Sequence, residues 1–441
     1  MFTRKDIVRL MVPLVIEQVL AVAIGMADTM MVSSCGEAAV SGVSLVDSIN
    51  VLLINIFSAL ATGGSIICAQ YIGRDDHANA NASAKQLIVA TFLISAAIMI
   101  ICLFGNAPIL SVVFPNTEKS VMNNCITYFF WSAISYPFLG VYNAGAALFR
   151  SMGNSRITMI ISLAMNLLNI CGNAILIFGC GMGVAGAAIA TLASRIFGAV
   201  IILYLLRWRS HGITLDSLLH WRLDFKMIRT ILKIGIPNGL ENGMFQIGKI
   251  LVQGLVASFG TVAIAANAVG NSIASMATIP GAAVGLGMIT IVGQCIGAKR
   301  YDEAKRYMFR LTGLAYVLMI FVNIILFLLL NPLIGLFNLS AETASITSVL
   351  LIYHGIMSSI LWPMAFTLPN GLRAANDVKY TMLVSVISMW ACRIGLSYIL
   401  ASFLNLGVLG VWIAMTIDWA VRIIFFLGRV ISGKWKKKEV I

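Results

Sequence analysis

Charge is scarce in this 441-residue chain: Asp, Glu, Lys and Arg together make up 11% of it, against 60% hydrophobic residues. A soluble domain needs roughly a quarter of its residues charged to cover its surface, so that class is excluded. Histidine is nearly absent, with 4 residues far apart, and the 8 cysteines stand singly at 35, 68, 102, 125, 171, 180, 295 and 392. Neither set has metal-ligand spacing, so no metal site is expected and the thiols read as small buried hydrophobes. Gly181, Gly183 and Gly186 have no Lys-Ser/Thr after them and no strand before them, which rules out a phosphate loop. They open a helix that needs close packing. Without a nucleophile or metal cluster no enzyme chemistry is expected, and no catalytic residue is assigned. No cofactor is implied, so any pumping must run on an ion gradient.

What fills the chain is apolar sequence in lengths that cross a bilayer. Twelve such stretches lie at roughly 10–33, 40–70, 86–105, 121–148, 157–178, 184–206, 231–257, 263–296, 311–330, 347–370, 381–402 and 408–430. In lipid every backbone polar group must be satisfied within the segment, so these are helices. None alternates with period two as a membrane barrel would.

The two halves also repeat each other. Pro13, Glu17, Gly36, Gly63, Gln70, Gly73, Pro108, Gly183 and Gly186 recur 224 residues later as Pro237, Glu241, Gly260, Gly287, Gln294, Gly297, Pro332, Gly407 and Gly410. The register slips by one where Arg150 and Thr158 match Arg373 and Thr381. Six spans per repeat is an even number, so both halves insert the same way up, as parallel repeats. The expected fold is therefore an all-α integral membrane protein, with twelve transmembrane helices in two six-helix lobes around a central cleft. Its divisions are an amino-terminal lobe over 1–210, a cytoplasmic linker over 211–232 and a carboxy-terminal lobe over 233–441.

The net charge of +13 invites a nucleic-acid reading that its distribution rejects. With the amino terminus cytoplasmic, 25 of 30 Lys and Arg fall on that side, including Arg207, Arg209, Arg222 and Lys226 of the central loop and the tail Lys434, Lys436, Lys437 and Lys438. One (Lys119) is outside and four lie within spans. That asymmetry is the positive-inside rule, and it places both termini in the cytoplasm of a cell whose inner membrane holds the protein. The first apolar stretch belongs to the repeat, so it is not expected to be a cleaved signal.

Ionisable residues inside spans are expensive and default to functional hypotheses. Asp28 lies deep in the first span, eleven residues after Glu17, so the two carboxylates share a face about 16 Å apart along the axis. Pro13, one turn before Glu17, removes a backbone hydrogen bond and gives the helix a place to bend; Pro237 does the same before Glu241. A carboxylate in a low-dielectric cavity can take a proton and surrender it when the cavity opens, which an exchanger needs. Asn166, Asn169 and Asn173 of the fifth span are candidate partners, since amides donate to a carboxylate and accept from its protonated form; interhelical packing is the alternative. Asp418 and Arg422, four apart, read as a local ion pair. Arg195 and Arg393 find no partner in the sequence.

The chain resembles the MATE (multidrug and toxic compound extrusion) transporters over essentially its whole length. The carriers are Pro13 fifteen residues before Asp28-Thr29, Gly36-Glu37-Ala38-Ala39-Val40, Gln70-Tyr71-Ile72-Gly73, and Asn169 with Asn173 before Phe178-Gly179. Gly183-Val184-Ala185-Gly186-Ala187-Ala188 and the mirrored elements of the second half complete the set. Within the family the amino-terminal lobe is similar to the DinF-type branch, whose proton-coupling chamber falls by spacing on Asp28, Tyr128, Asn169, Asn173 and Thr191. Some members carry a second aspartate where this chain has Asn173, which points to one-proton exchange through Asp28. The NorM-type sodium pattern fits worse, since the tenth span offers Tyr353, His354 and Trp362 but no carboxylate.

The resemblance implies a secondary antiporter that exports organic, cationic compounds from the cytoplasm in exchange for protons, with sodium the second choice of ion, and the internal duplication suggests a complete monomer. Its partners are those small molecules, the ion and membrane lipid, and no nucleic acid. Glu17, Glu241, Gln246 and Asp47 are the candidate substrate-cleft residues, with Pro13 and Pro237 the hinges. Glu241 has an alternative as a structural bridge to Lys249, and Asp47 as a residue near a helix start. Two other functions stay open. A lipid-linked oligosaccharide or polysaccharide flippase of the same superfamily would need a more cationic cleft, and an uncoupled membrane channel would need a ring repeated by oligomer symmetry.

Overall fold

A computed structural model of the chain describes residues 1–115, 117–207, 213–215 and 223–438, without the side chains of Met26 and Thr29. Arg209 and Arg222 of the central basic loop lie outside the described residues. Among the described residues twelve long helices follow one another in the order expected: α1 (Arg4–Ser33), α2 (Glu37–Gly73), α3 (His77–Phe104), α4 (Lys119–Ser151), α5 (Ser155–Gly179), α6 (Gly183–Leu206), α7 (Phe225–Ala257), α8 (Thr261–Gly297), α9 (Tyr301–Leu328), α10 (Ala341–Ala374), α11 (Val378–Phe403) and α12 (Gly407–Ile431). Ten of them are long and apolar enough to cross a membrane. The other two, α4 and α7, are each 33 residues long and fill the fourth and seventh expected spans. No strand occurs among the described residues.

Several helices start well before their hydrophobic stretches, α3 at His77 and α9 at Tyr301, because polar first turns extend beyond the apolar length that a hydropathy reading sees, while α6 and α12 match theirs to within a residue. Thr3 caps α1 in a capping box with Asp6, and the Asp76 carboxylate accepts from the Asn79 amide at the start of α3. Such caps satisfy amides that the helix itself leaves orphaned.

Two pairs of repeated glycines have a backbone reason. Gly36 and Gly260 cap α2 and α8 with φ of 99° and 93°, and Gly183 and Gly407 open α6 and α12 with φ of 56° and 54°. Residues with a Cβ are strained there. Gly186 and Gly410 serve packing instead: an added Cβ would lie 3.0 Å from the Leu176 carbonyl carbon in one repeat and 2.8 Å from the Ala401 amide nitrogen in the other. Lipid tails are as apolar as leucine, so helices associate through this close approach of small residues.

The chain divides into two compact units, one of Thr3–Gly239 and one of Met1–Phe2 with Leu240–Ile441. The division falls inside α7, because its first turns pack on α2: a Cβ on Gly63 would sit 2.8 Å from the Gly235 nitrogen. In the first unit the core gathers Phe57, Phe129, Tyr136 and their neighbours on α2 and α4; in the second it gathers Ile273, Leu350 and Trp412 on α8, α10 and α12.

α5 and α11 depart from regular α-helix. α5 ends in a π-helical stretch over Ala174–Gly179, and α11 carries two, Met389–Gly395 and Tyr398–Phe403. The wider turn re-aims the side chains beside it and often marks a functional position. Asn173 precedes the first of these stretches, and Arg393 lies in the second.

Candidate functional site

In the amino-terminal unit α1, α5 and α6 bring together four of the five predicted coupling residues. The Asn173 side-chain amide donates to Asp28 Oδ1 at 2.6 Å and to Asn169 Oδ1 at 3.2 Å, and Asn169 donates to Thr191 Oγ1 at 3.0 Å. Thr191 returns its proton to the Ala187 carbonyl. The four-residue spacing of Asn169 and Asn173 on one helix face creates the chain of bonds. Asn166, the third amide of α5, donates to the Leu20 carbonyl of α1 and ties the two helices together.

Tyr128 belongs to a second cluster. Its hydroxyl donates to Asp47 Oδ1 at 3.4 Å, which also accepts from Asn50 at 3.0 Å, while Tyr136 donates to Asn50 Oδ1 at 2.8 Å. Asp47 and Arg195 interact electrostatically with Asp28, and Arg195 also with Asp47. Arg195 further donates to Ser135 at 2.6 Å. The chamber thus holds two carboxylates and a guanidinium, where the sequence reading placed Asp28 alone and put Asp47 with the cleft residues. Sequence reasoning left Arg195 unpaired because its neighbours come from α1, α2 and α4, separated by whole spans.

Glu17 and Glu241 are not open acids. Each is buried, and each accepts from an arginine of its own unit: Arg150 Nη1 to Glu17 Oε1 at 3.1 Å, and Arg373 Nη2 to Glu241 Oε1 at 2.7 Å. The bridge weighed for Glu241 with Lys249 is replaced by this one, because Lys249 lies instead over the Phe245 ring, 5.4 Å from its centre. The arginines are the repeat partners Arg150 and Arg373, so the signal was present in the sequence: acid and base recur together. Thr158 adds a bond to Glu17 Oε2 at 2.8 Å, whereas Glu241 Oε2 is buried without a partner. Pro13 and Pro237 lie inside α1 and α7, one turn before each acid. Gln246 is half-buried further along α7.

In the carboxy-terminal unit Asp418 accepts from Arg422 at 2.9 Å, as the spacing predicts, and from Ser388 at 2.7 Å. It is also the partner that Arg393 lacked in the sequence, at 3.7 Å. Beside this group lies a cavity of about 310 Å3, lined by Lys249, Arg393, His354, Asn267, Asn271 and Trp412 among others. No group of His, Cys, Asp and Glu that could hold a metal occurs among the described residues.

Comparison with known proteins agrees with the repeat. The MatE family model matches residues 13–175 and again 237–399, the same 224-residue displacement that separates Pro13 from Pro237. The chain is 29% identical to the uncharacterized transporter YisQ of Bacillus subtilis, over 97% of this chain and 94% of that one. It is 26% identical to a probable multidrug resistance protein NorM of Thermotoga maritima, over 99% and 94%. Among solved structures, a MATE in the bent conformation superposes with a TM-score of 0.90 at 21% identity, over 98% of this chain and 96% of that one. A MOP superfamily transporter from Pyrococcus furiosus, described as having a binding pocket of reverse polarity, gives 0.91 at 21% identity, over 99% and 97%.

The fold and the duplicated helices define a multi-pass membrane transporter, not an enzyme. More narrowly, the chain belongs to the MatE family, the MATE transporters.

Proposed function

We propose that this transporter is a proton-driven exporter of organic compounds whose coupling site is Asp28, most similar in its first unit to the DinF-type branch. The observation that carries the reading is the hydrogen-bonded run Asp28–Asn173–Asn169–Thr191. Ionised Asp28 accepts from Asn173, whose own Oδ1 is buried without a partner. Once Asp28 is protonated, a flip of the Asn173 amide presents that oxygen to the new O–H. Each protonation state then has a matched arrangement, and alternating access selects between them. Organic cations are the expected cargo near Asp28 and Asp47, with Pro13 and Pro237 as points of bending. The termini face the cytoplasm of a cell whose inner membrane holds the protein.

The experiment is efflux of a fluorescent organic cation from proteoliposomes under an imposed proton or sodium gradient, for wild type and Asp28→Asn. Proton-driven efflux lost in the mutant supports the assignment. Full efflux by a well-expressed mutant would sink it. Sodium-driven efflux that survives the substitution would move the ion site out of this chamber.

One observation favours the flippase reading. That reading needs a more cationic interior, and here Glu17 and Glu241 are neutralised by arginines while the carboxy-terminal cavity is basic. Transport of a lipid-linked pyrophosphate with no response to either ion gradient would decide for it.

A further inference from the structure

The cavity of the carboxy-terminal unit is built from α7, α8, α10, α11 and α12. Lys249 stands on α7, Asn267 and Asn271 on α8, His354 on α10, Arg393 on α11 and Trp412 on α12. Its amides are already engaged with one another. Trp412 Nε1 donates to Asn267 Oδ1 at 2.9 Å, Asn267 donates to Gln253 Oε1 at 3.0 Å, and Asn271 donates to the Asn267 carbonyl at 2.8 Å. His354 is wedged edge-on between the rings of Trp412 and Trp419. These contacts form a rigid wall and leave the cationic groups to face the cavity.

Those cations are under-compensated. Among the described residues no carboxylate lines the cavity. Asp418, the acid beside Arg393, is held by Arg422 and Ser388 at hydrogen-bond distance and stands 3.7 Å from Arg393, too far for a hydrogen bond. Arg393 is 6% exposed and its Nε has no hydrogen-bond partner. Lys249 finds a ring instead of an acid: its ammonium lies 5.4 Å from the centre of Phe245, and the Arg393 guanidinium lies 5.0 Å from the same centre. With Arg422 6.0 Å from the same centre, three cations drawn to one ring repel one another, and cation–π attraction offsets only part of that repulsion. Lys249, Arg393 and Arg422 thus set three positive charges against the single charge of Asp418. An unpaired charge in a low-dielectric interior is costly, and a bound anion removes the cost.

We propose that this cavity is an anion site, in which Lys249 and Arg393 receive the carboxylate or phosphate group of an amphipathic ligand. The geometry suits it: a guanidinium offers paired donors to such a group and an ammonium a point charge. About 310 Å3 lies within the range of small-ligand sites, roughly 300–1,000 Å3. The aromatic wall of Trp412 and the apolar Val252, Val411 and Met415 accept the rest of the molecule. Taking this ligand as cargo rests on the transport reading above; its binding does not. The substrate range then extends to compounds with an acidic group, beyond the organic cations expected from Asp28.

The test is equilibrium binding by fluorescence anisotropy, using the full chain in phosphatidylcholine nanodiscs. The probes are 6-carboxyfluorescein as the anion and rhodamine 6G as a cation of similar size. Wild type is expected to bind carboxyfluorescein, Lys249→Gln to weaken it about tenfold, and Lys249→Arg to restore it. Asp28→Asn is expected to leave this binding unchanged, so loss of proton coupling and loss of the anion site are told apart. Adding phosphatidylglycerol to the disc or inorganic phosphate to the buffer identifies the source. Competition by the lipid assigns the site to a headgroup, competition by phosphate to a free anion, and competition by neither to an organic acid. A protein that binds rhodamine 6G but no carboxyfluorescein would overturn the proposal. So would carboxyfluorescein binding that Lys249→Gln leaves intact.

Discussion

The two units share a topology, a set of glycines and a buried acid–arginine pair, yet their interiors carry opposite charge. At the 224-residue offset Asp28 corresponds to Val252, Asp47 to Asn271 and Gly25 to Lys249. The first interior therefore has two carboxylates around Arg195, and the second has Lys249, Arg393 and Arg422 around Asp418. What duplication kept is what any helix bundle of this shape needs: positive-φ turns, close-packed glycines and a buried clamp. What it released is the lining, where a substitution changes chemistry without disturbing the fold. The repeat is thus a guide to scaffold, and departures from it are the guide to function.

The largest effect should follow from removing the carboxylate that the first unit has and the second lacks at this position. Asp28→Asn is expected to reduce proton-driven efflux in proteoliposomes to the level of empty vesicles. The reciprocal change, Val252→Asp, gives the second interior a carboxylate but no amide relay, and in an Asp28→Asn background it should not restore coupling. Restored coupling would mean that any carboxylate at this depth suffices, and the contrast between the units would lose its meaning for transport.

The shared clamps come next, and here the units should differ in degree. Removing one partner of a buried ion pair strands the other charge, at about 3–5 kcal/mol. Arg150→Ala leaves Glu17 its bond from Thr158, whereas Arg373→Ala leaves Glu241 with no hydrogen bond at either oxygen. Thermal unfolding in detergent should show both variants destabilised, Arg373→Ala the more. Equal losses would place the clamp's worth in packing and not in the charge left behind.

These clamps also mark how far the sequence could be read. Helix number, order and duplication were legible because bilayer length and a constant offset act on whole segments. The run from Asp28 to Thr191 was legible in part, since Asn169 and Asn173 share a face and a family pattern names their neighbours. That Glu17 and Glu241, named as cleft candidates, each meet an arginine was not legible, because depth in a span says nothing of what another helix brings against it. Arg150 and Arg373 lie at the ends of their spans, where the sequence shows them as repeat partners but not which acids they meet. Tyr128 reached Asp47 and not Asp28, a choice set by the packing of α2 on α4 that no spacing reveals. Asp418 looked satisfied by its i,i+4 arginine, which hid its second neighbour, Arg393.

A smaller effect should separate the relay from the carboxylate it serves. Asn173→Ala removes the donor to Asp28 and keeps the acid, so proton-driven efflux should fall about tenfold, the worth of one hydrogen bond to a charged group. Asn169→Ala, one bond further out, should fall less. If both fell as far as Asp28→Asn, the amides would be holding the chamber's shape instead of matching its protonation states.

The smallest predicted effect returns to what the units share. Gly186 and Gly410 occupy the same repeat position, and a methyl group at either must enter space already taken by backbone of the preceding helix, α5 or α11. Backbone cannot move aside as a side chain can, so each alanine should cost about 1–3 kcal/mol. The approach is closer in the second unit, 2.8 Å against 3.0 Å, and Gly410→Ala should be the more damaging in a thermal melt. The position also lies beside the π-helical stretches Ala174–Gly179 and Tyr398–Phe403, which correspond at the 224-residue offset. If Gly186→Ala proved the worse, the amino-terminal unit would be the tighter of the two at this crossing, and its chamber the less tolerant of motion. If neither mattered, the repeated glycine would have to be explained by something other than the packing it permits.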